Sequence, residues 1–170
     1  NRTRASLRRI RERLRQCVSS EAMREEKGAD IEFPPVQTPA TRQYKQISAG
    51  ADHTCGITTQ NLLFCWGSNS HKQINASNNT STIATKINLP DDTNTTFEHV
   101  WTGPYSTCAK TLPDGDIFCW GDNTYGFFGN GEFGEGTQYG VAQEVPGLGP
   151  VTQVALGGWH ACALKADGTV

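Results

Sequence analysis

Phe64-Cys65-Trp66-Gly67-Ser68-Asn69-Ser70 recurs as Phe118-Cys119-Trp120-Gly121-Asp122-Asn123-Thr124, 54 residues further on, with five of the seven residues unchanged. An active site is normally built once, whereas a structural unit is repeated. The repeat therefore constrains the fold before it says anything about chemistry. Aligned on cysteine, the chain shows three equivalent starts, at Cys55, Cys108 and Cys162, spaced 53 and 54 residues apart. Each is preceded by a short β-prone run: "YKQISAG", "FEHVWTG" and "VTQVALGG". Each is followed by a turn and, in the first two copies, a second apolar run. The turns are Gln60-Asn61, Asp114-Gly115 and Asp167-Gly168; Asp-Gly between alternating apolar segments predicts a type I′ hairpin with both central residues at positive φ. A period of about 50 with several short strands per unit reads as a propeller blade or a solenoid.

The segments "GGWHACALKADGTV" and "LPDGDIFCWGDNTYGFFGNG" resemble the regulator of chromosome condensation repeat, over about Gln43 to Val170. The resemblance implies an all-β fold: a β-propeller, usually of seven four-stranded blades. Two full blades and the start of a third are expected here, at about 43–96, 97–150 and 151–170. Seven such repeats need roughly twice this length, so the chain is expected to be a piece of a longer protein. In this reading Trp66 and Trp120 fill space between sheets, Gly67 and Gly121 permit a tight backbone, and the two tryptophans behave alike.

Cys55 and Cys65 flank one expected hairpin, and Cys108 and Cys119 the next, so two disulfides within blades are expected. The two loops differ by one residue, so counting alone does not fix a directly opposite pairing. Cys17 and Cys162 are left unpaired. A cysteine pair per blade suits an oxidising compartment. Glycosylation sequons at Asn75, Asn78, Asn79 and Asn94, read as one polar connector between blades, point the same way. Extracellular or cell-surface placement is the expectation, with a cytoplasmic location as the alternative.

Several sharper readings fall away. His53-x-Cys55 and His160-x-Cys162 suggest metal ligands, but Ser106 replaces the histidine in the second copy, and the short Cys-x-x-Cys spacing of structural zinc is missing. The histidines are expected to hydrogen-bond within their own blades. "GNGEFG", from Gly129, satisfies a dinucleotide-binding pattern but is followed by no helical period, and Glu132 and Glu135 would repel a pyrophosphate. No cofactor is expected. Residues 46–170 hold four Lys against eleven Asp or Glu, a balance of −7, which offers nucleic acid no basic surface.

Residues 1–28 read as a basic amphipathic helix, with Leu7, Ile10, Leu14 and Val18 in one apolar stripe and seven Arg within residues 1–15. Residues 29–42, rich in Pro, read as a linker. Membrane contact is expected only through this helix or through segments outside the chain. No nucleophile–base–acid set stands out. The resemblance implies work through loops at a propeller face: the founder promotes nucleotide exchange on a small GTPase, and secreted relatives or receptor-kinase ectodomains bind other macromolecules. The exchange-factor loops do not match residue by residue. The expectation is a non-catalytic module binding a protein or glycan, with Phe127, Phe128, Phe133 and Tyr139 as anchors. An exchange factor-like or scaffold protein and a receptor-kinase sensor fragment are the alternatives.

Overall fold

β-Branched and aromatic residues alternating with polar ones form ten strands in the computed structural model, which describes residues 42–77 and 80–170. The basic helix, most of the linker, Cys17, Asn78 and Asn79 lie outside the described residues. Strands β1 (Tyr44–Ala49), β2 (His53–Thr58), β3 (Leu63–Gly67) and β4 (Ser81–Lys86) form one antiparallel sheet in sequential order. Strands β5 (Thr96–Thr102), β6 (Ser106–Leu112), β7 (Ile117–Asp122) and β8 (Gln138–Glu144) form a second of the same topology. Strands β9 (Val151–Leu156) and β10 (Ala161–Lys165) begin the same pattern again. The described residues are all-β, and each four-stranded sheet is a propeller blade.

The cysteine register is resolved by where the extra residue goes. Cys55 faces Cys65 across β2 and β3, and Cys108 faces Cys119 across β6 and β7. The first hairpin closes with Thr58 N donating to Leu62 O, the second with Thr111 N donating to Asp116 O. The additional residue of the second copy is thus absorbed in the turn, and the facing pairs survive. Both pairs are disulfide-bonded, each with Cα atoms 4.1 Å apart. Loops of this length place the stabilisation of each bridge at roughly 2–4 kcal/mol. The turns are not type I′: only Asn61, Gly115 and Gly168 take positive φ, and their predecessors do not. One left-handed residue after a helical turn closes these slightly longer loops.

Blades meet through side chains one repeat apart. The Gln46 amide donates to Val100 O at 2.8 Å and accepts from Val100 N at 3.1 Å. Ser48 Oγ lies 2.8 Å from Thr102 Oγ1 and accepts from Thr102 N. Beneath this polar seam lies an apolar cluster that includes Ile57, Leu63, Ile74, Phe97, Val100 and Trp120. Between the second blade and β9–β10 the seam is different. Val154 and Leu156 stand one repeat beyond Val100 and Thr102, and Val151, Val154 and Phe128 form a second apolar cluster with the Cys108–Cys119 bridge.

The two tryptophans do not behave alike. Trp120 is 1% exposed within the first cluster, whereas Trp66 opens partly to water, with Tyr44 beside it at 5.9 Å between ring centroids. The same motif residue has a blade to pack against in one copy and a single ring in the other.

Candidate functional site

The repeated Gly and Asn of the motif build one face of the molecule. Gly67 and Gly121 have φ of 109° and 105°, and a Cβ on either would sit 2.5 Å from a backbone oxygen, that of Asp52 or Tyr105. Glycine is needed on both counts. It lets the end of β3 or β7 lie against the turn joining the first two strands of its blade, where Ser68 N donates to Asp52 O and Asp122 N to Tyr105 O. The chain then enters a long loop held by the motif's asparagine. Buried Asn69 accepts from Ile74 N at 2.8 Å and donates to Ser77 O at 2.6 Å. Buried Asn123 accepts from Phe128 N at 3.0 Å and donates to Glu132 O at 2.8 Å. A short polar side chain that bonds nearby backbone is what lets a loop this irregular hold one shape.

Antiparallel order puts these long loops and the first-strand turns at the same end of every blade. Residues 68–77, 103–105, 123–137 and 157–160 therefore share one face, and neighbouring blades bring their rings together there. His71, from the first blade's loop, stacks on Tyr105, from the next blade's turn, with centroids 4.4 Å apart. One repeat later, Tyr125 meets Trp159 edge-on at 6.4 Å and stacks on Phe127 at 6.2 Å. His71 Nδ1 lies 3.4 Å from Asp122 Oδ2 and 3.5 Å from Gln138 Nε2, so the first ring pair also carries a carboxylate and an amide from the second blade. Gly134 N donates to Thr124 O, folding the second loop back so that Phe133 comes beside Gly126. Tyr125 is 60%, Phe133 74% and Trp159 72% exposed, far more than a core role requires.

A buried relay runs just below this face. Thr107 Oγ1 donates to Gln73 O at 2.9 Å, which commits its only proton. His53 Nε2, at 2.8 Å, must then donate to Thr107, leaving Nδ1 as an unprotonated nitrogen without a partner. Burial pushes the His53 imidazole down to about 4, against the opposing pull of the adjacent Asp52 carboxylate. The bond expected within a blade is in fact a bond between blades, because Thr107 belongs to β6.

Of the four proposed anchors, Phe133 is on the surface. Phe128 is fully buried, against Tyr139 at 5.7 Å, and so belongs to the core rather than to a binding surface. Phe127 and Tyr139 are half-buried and pack on the second cluster. The sequons do not share one connector. Asn75 is in the loop after β3, half-buried, with its Oδ1 accepting from Ser77 N, whereas Asn94 is exposed beyond β4, at the opposite end of the blade. Cys162 is an exposed free thiol on β10. Sequence reasoning passed over His71, Tyr105, Tyr125 and Trp159. Their signal was positional: Tyr105 and Trp159 occupy the third place of Gly-x-x-His/Ser turns, and His71 and Tyr125 stand two residues after the motif asparagine.

Family models for the regulator of chromosome condensation (RCC1) repeat match residues 44–73 and 114–164. The chain carries repeats of the regulator of chromosome condensation type. Among its relatives, the probable E3 ubiquitin-protein ligase HERC6 of Homo sapiens is 28% identical over 136 residues, spanning 79% of this chain and 13% of that protein. The secretion-regulating guanine nucleotide exchange factor of Bos taurus is 27% identical over 133 residues, spanning 69% of this chain and 28% of its own length. The chain thus corresponds to less than a third of either relative. Among solved structures, human WBSCR16 superposes with a TM-score of 0.64 at 24% identity, over 75% of this chain and 32% of that one. Prp20p of Saccharomyces cerevisiae gives 0.63 at 16%, over 76% and 32%. The ectodomain of the Arabidopsis thaliana receptor kinase ACR4 gives 0.50 at 21%, over 77% and 39%. These likenesses show the propeller fold of the repeat family.

Proposed function

We propose that this chain is a non-catalytic interaction module that binds a protein partner through the loop face carrying Tyr105, Tyr125, Phe133 and Trp159, on the extracellular or cell-surface side of a membrane. The observation that carries the reading is the exposure of these rings, with Tyr125 and Phe133 on a loop held in place by buried Asn123. Large aromatic surface kept in water on a fixed frame is what interface anchors look like, since little ordering entropy is lost when they are covered. The compartment is supported by the two buried disulfides, a pattern that reducing cytosol does not sustain. The ACR4 ectodomain shares the fold.

The second reading is a guanine-nucleotide exchange factor or scaffold, favoured by the likeness to the bovine exchange factor and to Prp20p, which binds Gsp1p and histones. Thiol chemistry separates the two compartments. In protein isolated from its source with alkylation before lysis, the extracellular reading expects Cys55, Cys65, Cys108 and Cys119 to be unmodified and Cys162 to be alkylated. Full alkylation of all five would overturn the extracellular placement. For the face itself, a photo-crosslinking residue at Tyr125 should trap a protein partner on intact cells, while one at exposed Asp114, at the opposite end of the blade, should not. Adducts from position 114 alone would sink the assignment.

A further inference from the structure

We propose that the face formed by the 123–137 loop and the 157–160 turn recognises an arginine-rich segment of its partner. The inference rests on the interaction-face reading above and assigns that face a ligand chemistry.

The rings come first. Tyr125 and Trp159 meet with their planes 73° apart, so the two exposed rings form an angled notch rather than a flat stack. Phe133 is brought beside Gly126, the residue after Tyr125, by the fold of the loop and is the most exposed of the three. Ring faces are negative and attract cations, and the attraction is strongest for indole.

Charge then decides what is attracted. The loop carries exposed Glu132 and Glu135, and neither it nor the 157–160 turn contains a Lys or Arg. No cation on these two segments competes for the rings or neutralises the carboxylates. Phosphate-bearing ligands are repelled. A neutral ligand would use the rings and leave the two glutamates idle. A guanidinium uses both: its plane stacks on a ring while its donors reach a carboxylate. An ammonium has no plane to stack and holds its water more tightly. The surface is open rather than enclosed, which suits an extended side-chain-rich segment better than a small molecule. The boundary one blade earlier repeats the theme, with the His71–Tyr105 pair beside Asp122. A segment of alternating cations can therefore engage two neighbouring sites.

The test is fluorescence anisotropy with the full chain and two labelled probes of equal charge, octa-arginine and octa-lysine, at about 0.15 M salt, where exposed charges act only over short range. Octa-arginine should bind about fivefold more tightly than octa-lysine. Tyr125→Ser with Trp159→Ser should weaken octa-arginine about tenfold and remove its advantage, and Phe133→Ser alone should weaken it about twofold. Glu132→Gln with Glu135→Gln should weaken both probes and reduce their salt dependence. All these side chains are exposed, so melting temperatures should stay at the parent value. Absence of octa-arginine binding, or equal binding of both probes untouched by the ring substitutions, would overturn the proposal. Binding of neutral chitohexaose that the Tyr125 and Trp159 substitutions abolish would also overturn it, while leaving the face intact as an interaction site. Crosslinks confined to position 114 would instead defeat the interaction-face reading.

Discussion

Replacing Trp120 by Ala should cost more than the same change at Trp66, although both occupy one position of the repeat. Trp120 is 1% exposed and packs in the inter-blade cluster with Ile74 and Ala142. A fully buried indole removes on the order of 200 Å² from water. At about 25 cal/mol per Å² the transfer loss approaches 5 kcal/mol. Some is returned, because the indole Nε1 has no hydrogen-bond partner and its removal relieves a buried donor costing about 1–3 kcal/mol. The remaining loss of about 2–4 kcal/mol is raised by the cavity an enclosed site keeps after truncation, so Trp120→Ala should destabilise by roughly 3–5 kcal/mol, the usual range for aromatic truncation. Trp66 also buries most of its surface but opens to water, so no closed cavity remains and its loss, by the same transfer arithmetic, is about 3 kcal/mol. Urea unfolding of the full chain and both variants, followed by far-UV circular dichroism, gives the two differences from the midpoint shifts. Equal losses, or a larger loss for Trp66→Ala, would show that the motif tryptophan is stabilised within its own blade and that the inter-blade cluster is not what holds it.

Two further outcomes are expected. With its pKa lowered to about 4 in the fold, against an ordinary value near 6.5, His53 is protonated more readily when the chain unfolds. Its contribution is complete above pH 6.5 and is lost as pH falls towards 4, by up to about 3 kcal/mol; urea midpoints across this window should fall, and His53→Gln, which keeps a donor towards Thr107, should flatten the slope. Gly67→Ala and Gly121→Ala should each destabilise by at least about 2 kcal/mol, from strained positive φ and from a Cβ 2.5 Å from a backbone oxygen; thermal melts showing either substitution to be neutral would remove the close-approach argument.

The hairpins, the blade-like unit and the cysteine partners could be read from the chain because they are set by local patterns: alternation, Asp-Gly turns and a fixed period. What could not be read depends on what one blade meets in the next. Trp66 and Trp120 share a motif but not an environment. His53 was assigned a partner in its own blade because its real partner, Thr107, lies on another sheet. Phe128 and Phe133 look equivalent in a loop rich in glycine, yet the Asn123 bond to Phe128 N turns one inward and leaves the other out. Trp159 drew no notice because a lone tryptophan in a turn gains meaning only when Tyr125 arrives from the preceding repeat.

The two seams between blades have a consequence for how such a chain finds its fold. Near-identical units can pair out of order, and misassembly is the characteristic failure of repeat proteins. Gln46 and Ser48 present an amide and a hydroxyl that must be matched by the backbone of Val100 and Thr102. The second blade has only Val100 and Thr102 at those places, and the strand after it offers apolar Val154 and Leu156. If the first blade skipped its neighbour and docked on β9, Gln46 would again find the backbone of a valine, but Ser48 would meet Leu156 in place of the Thr102 hydroxyl. If the second blade took the first blade's place, it would lack the amide that latches. The first junction is thus marked by one amide and one hydroxyl pair that the second lacks, so the two seams are not interchangeable.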